Sequence, residues 1–255
     1  MLQKRDYPIL EFDCDSEAII HPEYLQKKYG VLPYDTLVIT FFKEVIDQLL
    51  NENKIEHCLT VHGENDLDVY VFKDANVYLL HGCVGCPACC GFLEDLIGLG
   101  IKKVMFCGGG GVLDSNMQVG ELLVVEGSIR DEGFSYHYVE PSRIIYSEKE
   151  TRDKICGYLN EKNLPYIEGL TWTTDAIYRE TRDKIIARKA EGAKIVEMEQ
   201  SGCIAVAQFR KIKYGAIIYA GDDVSQNVWA DRGWHTRKSI RYNLVEICKD
   251  LVKSL

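Results

Sequence analysis

No stretch of the 255-residue chain approaches the ~18 consecutive uncharged apolar residues that a membrane helix needs, so no membrane span is expected. Basic residues are in the minority: 30 Lys and Arg face 39 Asp and Glu, a net charge of -9. A field of that sign repels nucleic acid and anionic membrane, and neither is expected as a partner. The N-terminal MLQKRDYPILEF has neither a long apolar core nor a small-residue cleavage site, which points to the cytoplasm. Internal repeats, low-complexity tracts and Pro/Gly/Ser linkers are missing, which favours one domain over residues 1–255. So are several catalytic signatures. There is no His-Glu-x-x-His, no Gly-x-Ser-x-Gly elbow, and no Gly-Lys-Ser/Thr after the glycine run.

What is present reads as a globular α/β protein. Hydrophobic residues make up 46% and charged residues 27%. A chain of this length buries about three quarters of its unfolded surface and needs no disulfide or metal for a core. The ten cysteines (14, 58, 83, 86, 89, 90, 107, 156, 203 and 248) lie mostly in apolar segments and are expected as buried thiols.

Residues 36–53 carry Val38, Phe41, Phe42, Val45, Ile46, Leu49 and Leu50 at a helical period. His57–Gly63, Leu67–Phe72 and Asn76–Gly82 read as strands. Pro87 opens a helix to about Leu99. Lys103–Cys107 is a short strand that stops at a Gly108–Gly111 turn, followed by short strands to about Tyr138. Ser147 and Glu150 make a capping box, with a helix from Glu148 to about Asn163. Tyr166–Thr173, Lys194–Met198 and Ile212–Gly221 are strands, while 180–191, 199–210 and 234–253 are helices. The last helix sets Ile240, Leu244, Ile247, Cys248 and Leu251 on one face. This alternation predicts an α/β domain with a mixed, twisted central sheet covered by helices on both faces.

Ligands of such sheets bind beyond the carboxyl ends of strands, which singles out three segments. Gly108–Gly111 lets a ligand approach the backbone closely, or is simply a turn. In AKIVEMEQSG a strand ends in Glu197, Met198 and Glu199; Glu199 either caps the next helix or accepts two hydroxyls of a vicinal diol. In YAGDDV, Asp222 and Asp223 are either turn residues or an acid whose pKa burial raises. A fourth segment, CVGCPACC, suggests metal spacing, yet no second C-x-x-C exists and small buried thiols explain it better. No metal site is expected. His62 and His81 near strand ends read as structural histidines.

Taken together and in order, these segments resemble the nucleoside phosphorylase family, which includes hexameric purine nucleoside phosphorylase, uridine phosphorylase and the methylthioadenosine nucleosidases. The resemblance runs from about His81 to the C-terminus. It rests on GCVGCPACCGFLEDLIGLGIKKVMFCGGGG, VGELLVVEGSIRDEGFSYHY, GLTWTTDAIYRET and IVEMEQSG. It implies a nucleoside phosphorylase acting on purine nucleosides, with phosphate as co-substrate, no further cofactor, and assembly as a dimer or hexamer. By resemblance Glu199 holds the ribose hydroxyls, Met198 packs under the sugar and Glu197 helps at the base or sugar. Trp172 stacks on the base, Gly108, Gly109 and Gly110 wall the site, Asp222 protonates the base, and Arg237 supports Asp222.

The chain also departs from the family pattern. The early phosphate loop corresponds to VLPYDTLVITFF, which has no arginine. Phe106 stands where the family has a phosphate-binding arginine, and Gly109 where it has a serine or threonine. Arg130 or a neighbouring subunit is then expected to hold phosphate. Otherwise water is the nucleophile, as in the nucleosidases, or the protein binds nucleosides without turnover. Of the Gln and Arg of a uridine-type pocket, only Arg182 stands near the right place.

Overall fold

The computed structural model describes residues 2, 4–14 and 18–255. Among the described residues ten strands form one mixed sheet: β1 (Thr36–Thr40), β2 (Ile55–Val61), β3 (Leu67–Phe72), β4 (Tyr78–His81), β5 (Lys103–Val112), β6 (Leu122–Asp131), β7 (Ile144–Tyr146), β8 (Tyr166–Thr174), β9 (Ala193–Glu197) and β10 (Lys213–Asp223). Seven α-helices connect them: α1 (Gln26–Tyr29), α2 (Lys43–Asn51), α3 (Cys86–Gly98), α4 (Lys149–Glu161), α5 (Arg182–Ala190), α6 (Gln200–Arg210) and α7 (Lys238–Val252).

The sheet runs β10-β6-β8-β9-β5-β1-β4-β3-β2, with β7 on β6. Because β10 also pairs with β5, the strands β5, β10, β6, β8 and β9 close into a ring. Helices α3 and α6 cover one face, packing Leu93, Leu96, Ile204 and Val206. Helices α2, α4 and α7 cover the other with Val45, Ile46, Ile155, Leu159, Leu244 and Val245. The predicted α/β architecture is therefore the observed one.

Several local expectations change. Residues 36–53 are not one helix. Thr36–Thr40 is a strand buried along its whole length, and the helix begins only at Lys43. A continuous apolar β-branched run suits a central strand with both faces covered, and such a run imitates a helical period.

The four glycines are not a turn. They continue β5, which pairs with β10 from Lys103 through Gly110. Added Cβ atoms show why side chains are excluded. At Gly110 the atom would lie 2.4 Å from Ile195 Cγ2 and 2.6 Å from the Val196 carbonyl oxygen. The other edge of β5 pairs with β1 only through Cys107 and with β9 only from Gly111. Gly108–Gly110 thus face a gap in the sheet.

The expected capping box is replaced too. Ser147 Oγ donates to the Val125 carbonyl, and Glu148 is the N-cap residue, its Oε2 accepting from Thr151 Oγ1 at 2.6 Å. A 3-10 turn, Trp234–Thr236, precedes α7, which starts later than expected. Its fully buried face carries Arg241, Leu244, Val245, Cys248, Lys249, Leu251 and Val252, leaving Ile240 and Ile247 only partly buried.

Among the cysteines, 86, 89, 90, 107, 203 and 248 are buried, but Cys14 and Cys58 are exposed. Cys86, Cys89 and Cys90 pack α3 against α6, with Cys90 Sγ 3.7 Å and Cys89 Sγ 4.0 Å from Cys203 Sγ.

Candidate active site

A cavity of about 780 Å³ opens at the gap beside Gly108–Gly110. The three segments that end β5, β9 and β10 all line it: Gly108–Gly111, Glu197–Glu199 and Asp222. Its wall is otherwise largely aromatic, with Phe41, Phe42, Phe106, Tyr178, Trp229 and Trp234.

The turn from β9 into α6 separates the roles of its two glutamates. Glu197 Oε2 accepts the backbone N–H groups of Glu199 (2.6 Å) and Gln200 (2.7 Å), and Oε1 accepts from Thr173 Oγ1 (2.5 Å). Glu197 therefore satisfies the first amides of α6, which have no carbonyl partner inside the helix. Glu199 is the N-cap residue by position, yet its side chain caps nothing. Its Oε1 accepts from the Gly85 N–H (2.8 Å) and Oε2 from the Met198 N–H (3.3 Å). Each carboxylate oxygen has a further lone pair, so Glu199 keeps acceptor capacity in the cavity. Burial raises the pKa of both glutamates, and the Glu197 charge pushes Glu199 up further. Met198 lies between them on the cavity wall.

At the end of β10 the two aspartates diverge. Asp223 is buried and ties its own turn, its Oδ1 accepting the Ser225 N–H at 2.7 Å. Asp222 faces the cavity, and its Oδ2 accepts from Trp229 Nε1 at 2.7 Å. Burial raises its pKa, partly offset by the Trp229 hydrogen bond.

Three expected residues lie elsewhere. Trp172 is fully buried and does not line the cavity; its Nε1 donates to Asp131 Oδ2 (3.1 Å), and Lys184 and Arg188 lie over its ring at 6.0 and 5.7 Å. Its ring packs in a buried cluster with Leu113, Ile129, Ile185 and Val196. Arg237 does not reach Asp222. It is exposed, and its Nη2 donates to the Arg232 carbonyl. Arg130 is buried outside the cavity, bonded to Ser135 Oγ, Ser142 Oγ and the Val139 and Glu140 carbonyls, with its guanidinium 4.1 Å above the Tyr136 ring. It organises the loop after β6 and has no reach to a ligand. His62 pairs with Asp66 at the surface, and His81 does not line the cavity.

The cavity also contains residues that sequence reasoning passed over. Glu180, after the 3-10 turn Ile177–Arg179, makes no side-chain hydrogen bond or ion pair among the described residues. Burial and the nearby Asp222 charge push its pKa up to about 7. Arg241 reaches the cavity from α7, and one signal for it existed. Position 241 falls in phase with 244, 245, 248 and 252, so a charge sits on the apolar face. Arg182 lines the cavity as well, its Nη1 donating to the Ser225 carbonyl.

The site is thus a carboxylate-bearing cavity at strand ends in an α/β fold whose sheet curls into a ring. One acid sits at the start of a helix, and another lines the same cavity from the end of β10. The model of the phosphorylase superfamily matches residues 36–252, and the chain belongs to that superfamily. A guanosine phosphorylase of Halorubrum lacusprofundi is 25% identical over 134 residues, 52% of this chain and 56% of that protein. The chain spans about half the length of the curated relatives it matches. The fold is shared with a uridine phosphorylase from Vibrio fischeri (TM-score 0.73, 18% identity, 91% of this chain and 100% of that one). It is shared equally with a futalosine hydrolase of Helicobacter pylori (TM-score 0.70, 16% identity, 87% of this chain and 100% of that one).

Proposed function

We propose that the protein cleaves the N-glycosidic bond of a purine nucleoside by phosphorolysis, giving free base and ribose 1-phosphate. The observation that carries this reading is that Glu199 and Asp222, from different strand ends, face one cavity. A phosphate oxygen attacks C1′, the C1′–N bond breaks, and its electron pair moves onto the base. Positive charge grows on the sugar and negative charge on the base. Glu199 accepts the ribose hydroxyls and stabilises the sugar as its charge develops. Asp222 gives its proton to the imidazole-ring nitrogen of the departing purine, a task that its burial-raised pKa favours.

Trp229 fixes the Asp222 carboxyl, and the nearby Asp231 charge adds to burial in disfavouring loss of the Asp222 proton. Glu197 holds the turn that aims Glu199, and Met198 packs beneath the sugar. Val84, Tyr178, Val228 and Trp229 are exposed apolar side chains, three of them on the cavity wall. They support a homo-oligomer, dimer or hexamer, that covers this rim.

A second reading is hydrolysis, with water in place of phosphate. The aromatic cluster at the glycine end favours it: Phe41 and Phe106 pack at 5.2 Å, and the segment VLPYDTLVITFF has no arginine. Incubation with inosine, adenosine, guanosine and uridine, with and without phosphate, separates the two. Phosphate-dependent release of purine base is the expected result. Phosphate-independent release establishes the hydrolase, and binding without release removes catalysis altogether.

A further inference from the structure

Among the described residues two arginines, Arg182 and Arg241, line the cavity, and neither stands at the two positions where the family has a phosphate-binding arginine. Arg241 is the better placed to meet an anion. Its guanidinium sits in a box of rings, 4.8 Å from Phe42, 5.1 Å from Trp234 and 5.9 Å from Tyr219. Phe42 lies two residues past the end of β1, and Phe42 and Trp234 line the cavity. Gly109 abuts the same rings: a Cβ there would lie 2.8 Å from Tyr219 and 3.2 Å from Trp234. The side-chain-free wall and the guanidinium are therefore neighbours.

We propose that Arg241 holds the phosphate co-substrate, replacing from α7 the cation that is missing after β1 and at Phe106. This assignment rests on the phosphorolytic reading above. Nε donates to Tyr219 Oη at 2.9 Å and Nη1 to Glu44 Oε1 at 2.7 Å. Nη2 donates no hydrogen bond among the described residues.

A guanidinium stays charged at any working pH and presents a planar fork to phosphate oxygens. In a ring-lined site its attraction for a dianion is screened less than in water. Glu44 occupies part of the fork in the meantime. The Arg241 side chain is only 8% exposed, but that of Glu44 is 33% exposed and free to turn toward solvent. Phosphate thus exchanges with Glu44, which acts as a competing counter-ion.

The test varies inorganic phosphate at fixed purine nucleoside. The expected result for Arg241→Gln is a phosphate KM raised about tenfold or more, with nucleoside KM within about twofold. Arg241→Lys is expected to fall between, and Glu44→Gln to lower the phosphate KM. In parallel, phosphate alone is titrated while tryptophan fluorescence reports on Trp234 beside the guanidinium. Saturation is expected in the native protein, tighter in Glu44→Gln and lost in Arg241→Gln. Glu44→Gln, at a partly exposed position, carries the test if Arg241→Gln fails to fold.

Base release without phosphate, an unchanged phosphate KM in folded Arg241→Gln, or weaker phosphate binding in Glu44→Gln overturns the assignment. If no nucleoside is cleaved under any condition, the cleavage reading fails. The phosphate titration then decides Arg241 alone, a signal abolished by Arg241→Gln sustaining it and no signal overturning it.

Discussion

At the scale of single residues, the site gathers carboxyl groups that burial makes harder to ionise. Asp222→Asn keeps the shape of the acid but cannot give up a proton. It is expected to lower kcat by about 10²–10⁴ while nucleoside KM changes little, as steady-state kinetics will show. Glu199→Gln keeps the size of the side chain and replaces one carboxyl oxygen with an amide nitrogen that cannot accept a hydroxyl. It is expected to raise the Kd for ribose-containing ligands by about tenfold, measured by calorimetry against the free base as control.

Glu180 yields a stability prediction. Burial and the Asp222 charge raise its folded pKa to about 7, against the ordinary 4.5 of a glutamate. The folded state therefore binds the proton more tightly than the unfolded state. That contribution favours folding at low pH and is lost as pH rises through the interval from about 4.5 to 7. Glu180→Gln is expected to raise Tm more at pH 8 than at pH 5, and equal shifts at both pH values would remove the argument.

At the scale of elements, the end of β5 and the turn into α6 decide what the cavity is. Gly110 lies against β9 so closely that any side chain meets backbone. Gly110→Ala is expected to cost ~1–3 kcal/mol of stability, read from denaturant unfolding, because the Val196 carbonyl cannot step aside as a flexible side chain would. Trp172 on β8 tests the reverse point. A residue sealed between strands has no contact with a base. Trp172→Phe is therefore expected to lower Tm through the lost bond to Asp131 while leaving the ratio of kcat/KM for different purines unchanged. A changed ratio would return Trp172 to the pocket.

At the scale of the whole molecule, the cavity is assembled from residues as far apart in sequence as Phe41 and Arg241. Ring closure through β5–β10 and β5–β9 pairing brings them together. Ligands that bind only the closed arrangement stabilise all of it. At 100 times Kd a nucleoside is expected to add ~2.7 kcal/mol to unfolding free energy, visible as a rise in Tm. With phosphate also present, the rise should exceed that with either ligand alone.

The sequence by itself determined the alternation of strands and helices, the three strand ends that line the cavity, and the family. Periodicity and short motifs are local properties, and IVEMEQSG and YAGDDV keep their meaning wherever the rest of the chain lies. Only the tertiary structure decided which of two neighbouring carboxylates is taken up by local backbone amides. Glu197 turns to the amides of α6 and Asp223 to its own turn, which leaves Glu199 and Asp222 for a ligand. It also put Trp172 and Arg237 outside the site and Glu180 and Arg241 inside it. The reason is physical: a side chain's exposure depends on what distant strands pack against it, and a single chain read in order does not contain those distances.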